Sequence, residues 1–139
     1  MSAEDFVAAA RQLKGARWRH RGRKPWAVDC IGVLKLSGDA CGLNLRDQIG
    51  YGREPWEDRL RSAMREHFGD PVPPPWRPGD VPLIRWGKGE PSHVGILGDH
   101  PDGGLTLIHA HNLHGVVENS LTGNYARCVI EVYRPWRED

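Results

Sequence analysis

The sequence predicts an α+β fold, with helices first and an antiparallel sheet of about five strands after them. Two observations carry this. In the first half, apolar residues recur three and four positions apart. In the second half, short apolar runs alternate with polar residues between Gly- and Asp-containing turns.

Phe6, Val7, Ala10 and Leu13 share one face of a first helix. Gly15 to Trp26 reads as a loop. Asp29 has the character of an N-cap, and Cys30-Ile31-Gly32-Val33-Leu34-Lys35-Leu36 follows as a short apolar helix ending near Gly38. Asn44 to Gly52 reads as irregular. A further amphipathic helix begins near Pro55, a residue favoured in a first turn. It carries Leu60, Ala63, Met64 and Phe68 on one face and stops at Gly69. Asp70 to Gly79, with Pro71, Pro73, Pro74, Pro75 and Pro78, is a stiff connector inside one domain. Strands are expected at Val81 to Trp86, Ser92 to Leu97, Leu105 to His111, Gly115 to Glu118 and Arg127 to Arg134. The short turns between them make the pairing antiparallel. In the second strand Val94 and Ile96 point one way, and His93 and Gly95 the other.

The 139 residues fit one domain, 1–139, with 39% hydrophobic residues to fill one core. The net charge of +1 gives the chain no strong overall field for nucleic acid or membrane. The local exception is the run Arg17-Trp18-Arg19-His20-Arg21-Gly22-Arg23-Lys24. No stretch approaches the roughly 18 apolar residues of a membrane span, and the N-terminus lacks the basic start and apolar run of a secretory signal. Neither membrane insertion nor signal-directed export is expected. The cysteines are Cys30, Cys41 and Cys128, an odd number without a Cys-x-x-Cys pair. A disulfide framework and the usual structural zinc site are therefore not expected, and Cys41 and Cys128 read as core residues.

Cys30 stands apart because it opens a helix. Exposed N–H groups and the helix dipole at that position favour a thiolate, and the upstream basic run adds to the effect. The charge of Asp29 opposes it unless capping bonds absorb it. Gly32, one turn in, lets another backbone segment approach. The bland reading of Cys30 is a small buried hydrophobe. His93 points the other way, since a nucleophilic thiol needs an imidazole held on a rigid element. Gly95 beside it leaves room for substrate or for a helix backbone. A third polar residue would hold the His93 ring in the right tautomer, and His109 is available on the next strand. The bland reading for His93, His109 and His111 is the wet face of a sheet.

The order of motifs is Gly-Ala-Arg-Trp-Arg-His-Arg-Gly, Asp-Cys-Ile-Gly-Val-Leu, Arg-Pro-Gly-Asp-Val, Ser-His-Val-Gly-Ile-Leu and Leu-Ile-His-Ala. From Gly15 to Ala110 it resembles the NlpC-type cell-wall peptidases, which have a minimal papain-like fold. The resemblance implies a cysteine peptidase with Cys30 as nucleophile, His93 as base and His109 as the third polar residue. It implies a substrate-binding wall of Trp18, Arg19, His20, Asp29, Ser92 and His111, with no metal and no cofactor. The implied substrate is the peptidoglycan stem peptide, commonly cut between γ-D-glutamate and a diamino acid. Trp18 stands where many members carry a Tyr whose hydroxyl serves the oxyanion site. The turn from Asp99 to Gly104 is longer than in compact members, which keeps His111 as an alternative to His109. The Trp-Arg-His-x-Gly-Arg wording is similar to the branch found in the tails of phages and gene transfer particles. That implies tail or baseplate proteins as partners. It also implies synthesis in the bacterial cytoplasm and delivery by a particle.

Three other readings compete. Arginines 17, 19, 21 and 23 with Lys24, beside Trp18 and Trp26, would suit a nucleic-acid module, although the near-neutral total charge and the confinement to one loop oppose it. His109-x-His111 would suit a metal-dependent hydrolase, but no His-Glu-x-x-His motif accompanies it. A structural tail protein that keeps the fold without turnover would carry the same residues.

Overall fold

The computed structural model describes residues 2–46, 59–87, 89 and 91–136. The helical half opens with α1 (Ala3–Gln12). Its first turn is closed by a capping box: Ser2 Oγ accepts the Asp5 N–H at 3.2 Å, and the Asp5 carboxylate accepts the Ser2 N–H at 3.0 Å. Phe6, Val7 and Ala10 are buried, as their spacing predicts.

The segment after α1 is more ordered than the expected loop. It holds β1 (Arg17–Trp18), β2 (Arg23–Lys24) and β3 (Ala27–Val28), with β3 in the middle, parallel to β1 and antiparallel to β2. Strands of two residues are too short to show alternation, which is why the sequence reads as a loop. Helix α2 (Cys30–Ala40) begins where expected but runs past Gly38. Gly38 lies inside its last turn, with its carbonyl accepting the N–H groups of Cys41 and Leu43.

Helix α3 (Arg59–Phe68) buries Leu60, Ala63, Met64 and Phe68 as expected. The start expected near Pro55, and the end of the irregular stretch from residue 47 onward, lie outside the described residues.

The second half is antiparallel, as expected. It contains β4 (Val81–Ile84), β5 (His93–Val94), β6 (Ile96–Asp99), β7 (Leu105–His111), β8 (Gly115–Ser120) and β9 (Val129–Tyr133). Among the described residues these form two three-stranded groups, β5-β4-β9 and β6-β7-β8, rather than one five-stranded sheet. The break falls at Gly95, between β5 and β6. A short helix, α4 (Gly123–Arg127), was not expected, and the last strand starts at Val129 rather than Arg127. With no buried residue, α4 leaves no apolar stripe in the sequence.

The main core lies between the helices and the sheets. Phe6, Val33, Val94, Ile96 and Ile108 are fully buried in it. Helix α2 packs on α1 and reaches both β5 and β7. Two polar clamps hold this arrangement. Asp80, buried at the end of the proline-rich connector, accepts the Arg77 N–H at 2.8 Å and takes Arg134 Nε and Nη2 at 2.8 and 2.9 Å. Glu118 on β8 takes Arg11 of α1 at 2.8 Å, Lys14 at 3.0 Å and the Thr106 hydroxyl at 2.6 Å. No helix among the described residues is long and apolar enough to cross a membrane.

Candidate active site

The start of α2 is built around Asp29. Its backbone is extended, and its side chain caps the helix by accepting the Gly32 N–H at 2.9 Å. The same carboxylate accepts the Arg21 N–H at 2.8 Å and pairs with Arg23 Nη1 at 3.0 Å. Asp29 thus straps the β1–β2 turn onto the helix. Gly32 makes the strap sterically feasible, since a Cβ there would lie 2.3 Å from the Gly22 carbonyl oxygen. The basic run is therefore partly structural. Arg23 turns inward to Asp29, while Arg17, Arg19, Arg21 and Lys24 keep exposed side chains.

Cys30 follows the cap and is partly buried. Hydrogen bonds from the backbone of Val94 and of Ile31 reach its thiol. The Val94 contact sets the sulfur against the strand that carries His93. The thiol's environment corrects the expectation of a depressed pKa. Burial, and then the charge of Asp29, push it up to about 12; the two backbone bonds and Arg23 only partly offset this. Burial is the largest cause and outweighs the Ile31 backbone bond at the helix start.

His93 is buried, and so is His109 at 1% exposure. His93 Nε2 lies 2.9 Å from His109 Nδ1, and His109 Nε2 lies 2.8 Å from Asn119 Oδ1. Burial, followed by the neighbouring His109 and His111, lowers the His93 pKa to about 3. Burial also lowers His109, against the opposing pull of its bond to Asn119. At neutral pH the resting pair is a neutral thiol and a neutral imidazole. With Nε2 engaged by His109, Nδ1 is the ring nitrogen of His93 left for chemistry with Cys30.

His109 and His111 differ in their contacts. His111 uses Nδ1 to accept the N–H groups of Leu113 and His114, at 3.1 and 3.3 Å, and its ring stacks on His114. It is His109 that touches His93. Both nitrogens of His109 are taken by His93 and Asn119. Among the described residues no three His, Cys, Asp or Glu side chains converge in a way that would hold a metal ion.

Cys30, His93 and His109 line one cleft of about 980 Å³. Trp18, His20, Asp29, Ser92 and His111 also line it, as the sequence suggests; Arg19 does not and is exposed outside the wall. Trp18 and His20 stack with ring centres 6.3 Å apart. The space expected beside Gly95 is filled. A Cβ there would sit 2.8 Å from the Ile108 carbonyl oxygen and 2.6 Å from Leu107, so Gly95 serves the close approach of β7 and not a ligand.

Sequence reasoning missed the opposite wall. Trp86 stacks obliquely on His93 at 5.3 Å and meets Tyr125 edge-on at 5.8 Å; Tyr125 in turn meets His109 at 5.5 Å. Tyr125 comes from α4, which had no sequence signal. Cys128 lines this cleft too, partly exposed beside the Ile84–Leu97–Leu107 cluster, whereas Cys41 is in the core as expected. Asn119 was also missed. The β7–β8 register places it opposite Leu107, one diagonal step from His109, a relation that only the pairing reveals.

Known structures share this fold over nearly the whole chain. An NlpC/P60 family protein from Bacillus cereus ATCC 10987 superposes with a TM-score of 0.72 at 18% identity, covering 99% of this chain and 41% of that one. The NlpC/p60 domain of the peptidoglycan hydrolase SagA gives 0.64 at 18% identity, over 96% of this chain and 98% of that domain. The fold is the NlpC/P60 fold. NlpC2 from Trichomonas vaginalis gives 0.63 at 19% identity, covering 96% of this chain and 47% of that one. The chain thus matches a whole NlpC/P60 domain but less than half of the Bacillus and Trichomonas proteins. No protein-family model matches the sequence, and no curated protein does.

Proposed function

We propose that this chain is a cysteine endopeptidase that hydrolyses amide bonds in peptidoglycan stem peptides. The observation that carries the proposal is the shared cleft of Cys30, at a helix start, and His93, backed by His109. The NlpC/P60 fold and the SagA domain's description as part of a peptidoglycan hydrolase support the choice of substrate. The sequence resemblance supports the γ-D-glutamyl–diamino acid bond as the one cut.

This geometry supports the following steps. Because thiol and imidazole are both neutral at rest, the Cys30 proton passes to His93 as the sulfur attacks the carbonyl carbon. The Cys30 N–H, at the first position of α2, faces the developing oxyanion. The imidazolium of His93 protonates the leaving amine, and a thioester remains on Cys30. Water, deprotonated by His93, then attacks the thioester and releases the acid and the thiol. Trp18, His20, Ser92 and His111 form the binding wall, and the exposed Arg17, Arg19, Arg21 and Lys24 near it attract the free carboxylates of the peptide.

The tail-borne role is part of the same proposal. The chain is made in the bacterial cytoplasm and carried in the tail or baseplate of a phage or phage-like particle, a reading supported by the Trp18-to-Arg23 wording. Digestion of purified peptidoglycan, with fragments identified by mass spectrometry, tests the activity and names the bond. Stem-peptide fragments released by the wild type and not by Cys30→Ala are expected. Absence of release from either would favour an inert tail protein of the same fold.

A further inference from the structure

We propose that Asn119 is a positioning residue that fixes the tautomer of both His109 and His93, so that His93 Nδ1 is the unprotonated nitrogen. The proposal rests on the cysteine-peptidase reading for its catalytic meaning, but the tautomers themselves do not depend on substrate.

The argument follows the protons along two short contacts. Asn119 Oδ1 is an acceptor, 2.8 Å from His109 Nε2, so the proton of neutral His109 sits on Nε2. His109 Nδ1 is then a lone pair. It lies 2.9 Å from His93 Nε2, which must donate to it. A neutral His93 with its proton on Nε2 has a bare Nδ1. That is the state a general base needs in order to take the Cys30 proton.

Without the acceptor at position 119, His109 is free to carry its proton on Nδ1. It then donates to His93 Nε2 and drives the His93 proton to Nδ1, where the ring cannot accept one from the thiol. The amide oxygen therefore acts on the base from two hydrogen bonds away. It reaches the pair because β8 places Asn119 diagonal to His109 on the sheet. Neither Asn119 nor its neighbours Glu118 and Ser120 lines the cleft, so this effect differs from substrate contact.

Long-range ¹H–¹⁵N correlation spectra of ¹⁵N-labelled protein at neutral pH read the tautomers directly. In the wild type, both His93 and His109 are expected as Nε2–H. In Asn119→Leu, close in volume but without an acceptor, His109 is expected to become a mixture of tautomers. Asn119→Asp, which restores an acceptor oxygen, is expected to return it to Nε2–H. Asn119→Leu should also reduce kcat on muropeptides by about tenfold, the scale of one lost buried hydrogen bond, with KM unchanged. An Nδ1–H tautomer on either ring in the wild type would overturn the proposal, as would unchanged tautomers in a folded Asn119→Leu. If Asn119→Leu fails to fold, the wild-type spectrum alone decides. Expected tautomers without any muropeptide cleavage would leave the relay standing and sink the peptidase reading; Cys30-dependent cleavage with the wrong tautomers would do the reverse.

Discussion

Asp29 is asked to do two things that pull in opposite directions, and replacing it separates them. Its carboxylate caps α2 and holds Arg23, while its charge disfavours the thiolate of Cys30. Loss of an N-cap costs about 1 kcal/mol. Arg23, with 17% of its side chain exposed, loses its partner at 3.0 Å. A charged hydrogen bond of that kind contributes about 2 kcal/mol. Asp29→Ala should therefore destabilise the protein by about 3 kcal/mol and lower Tm by roughly 10 °C. Asp29→Asn keeps a capping oxygen and should lose about half as much. For Cys30 the sign reverses. A neighbouring charge acts with roughly 2–4 kcal/mol at an effective dielectric near 20, and Asp29→Asn removes that charge while leaving Arg23 in place. At the lower end, about 2 kcal/mol is a factor of about thirty in thiolate population, and the weaker nucleophilicity of a less basic thiolate leaves about fivefold in rate. Cys30 in Asp29→Asn should be alkylated by iodoacetamide about five times faster at fixed pH, read by peptide mass mapping. Slower or equal alkylation, or an Asp29→Ala protein melting within about 2 °C of wild type, would refute this reasoning.

Two further predictions concern the clamps. Asp80→Ala removes the bidentate partner of the half-buried Arg134 and should cost roughly 2–3 kcal/mol in urea unfolding, without changing the Cys30 alkylation rate of the folded protein. Burial alone would raise the Glu118 pKa, but hydrogen bonds from Arg11, Thr106 and Lys14 outweigh it and hold the group down at about 2 against an ordinary 4.5. A carboxylate depressed on folding adds stability that is fully present above its unfolded pKa and is lost as pH falls through the folded value. Stability should therefore decline between pH 4.5 and about 2, and Glu118→Gln should flatten that slope in acid-unfolding curves.

Much of the fold was legible because it rests on long-period patterns. The faces of α1 and α3 and the alternation of β5 to β7 recur over enough residues to be read directly. The helix start at Cys30 followed from Asp29 as its N-cap. The parts that stayed hidden are short or relational. β1 to β3 are two residues each, and α4 has no buried face. Trp86 joins the site from the loop after β4, Tyr125 from α4 and Asn119 through strand pairing, so no local spacing announces them. The thiol's raised pKa was not legible either, since it follows from how deeply the sulfur sits and not from its place at the helix start. Gly95 shows the same limit: its sequence context suits a substrate or a helix backbone, and it is β7 that fills the space.

Trapping the covalent intermediate tests the central claim most directly. The protein would be incubated with isolated muropeptides, quenched in acid within the first turnovers and mapped by peptide mass spectrometry. A thioester-linked stem-peptide fragment on Cys30, absent from Cys41 and Cys128 and diminished in His93→Ala, is the expected result. Muropeptide cleavage that persists at the wild-type rate in Cys30→Ala, or an acyl group carried by another residue, would contradict the assignment of Cys30 and His93.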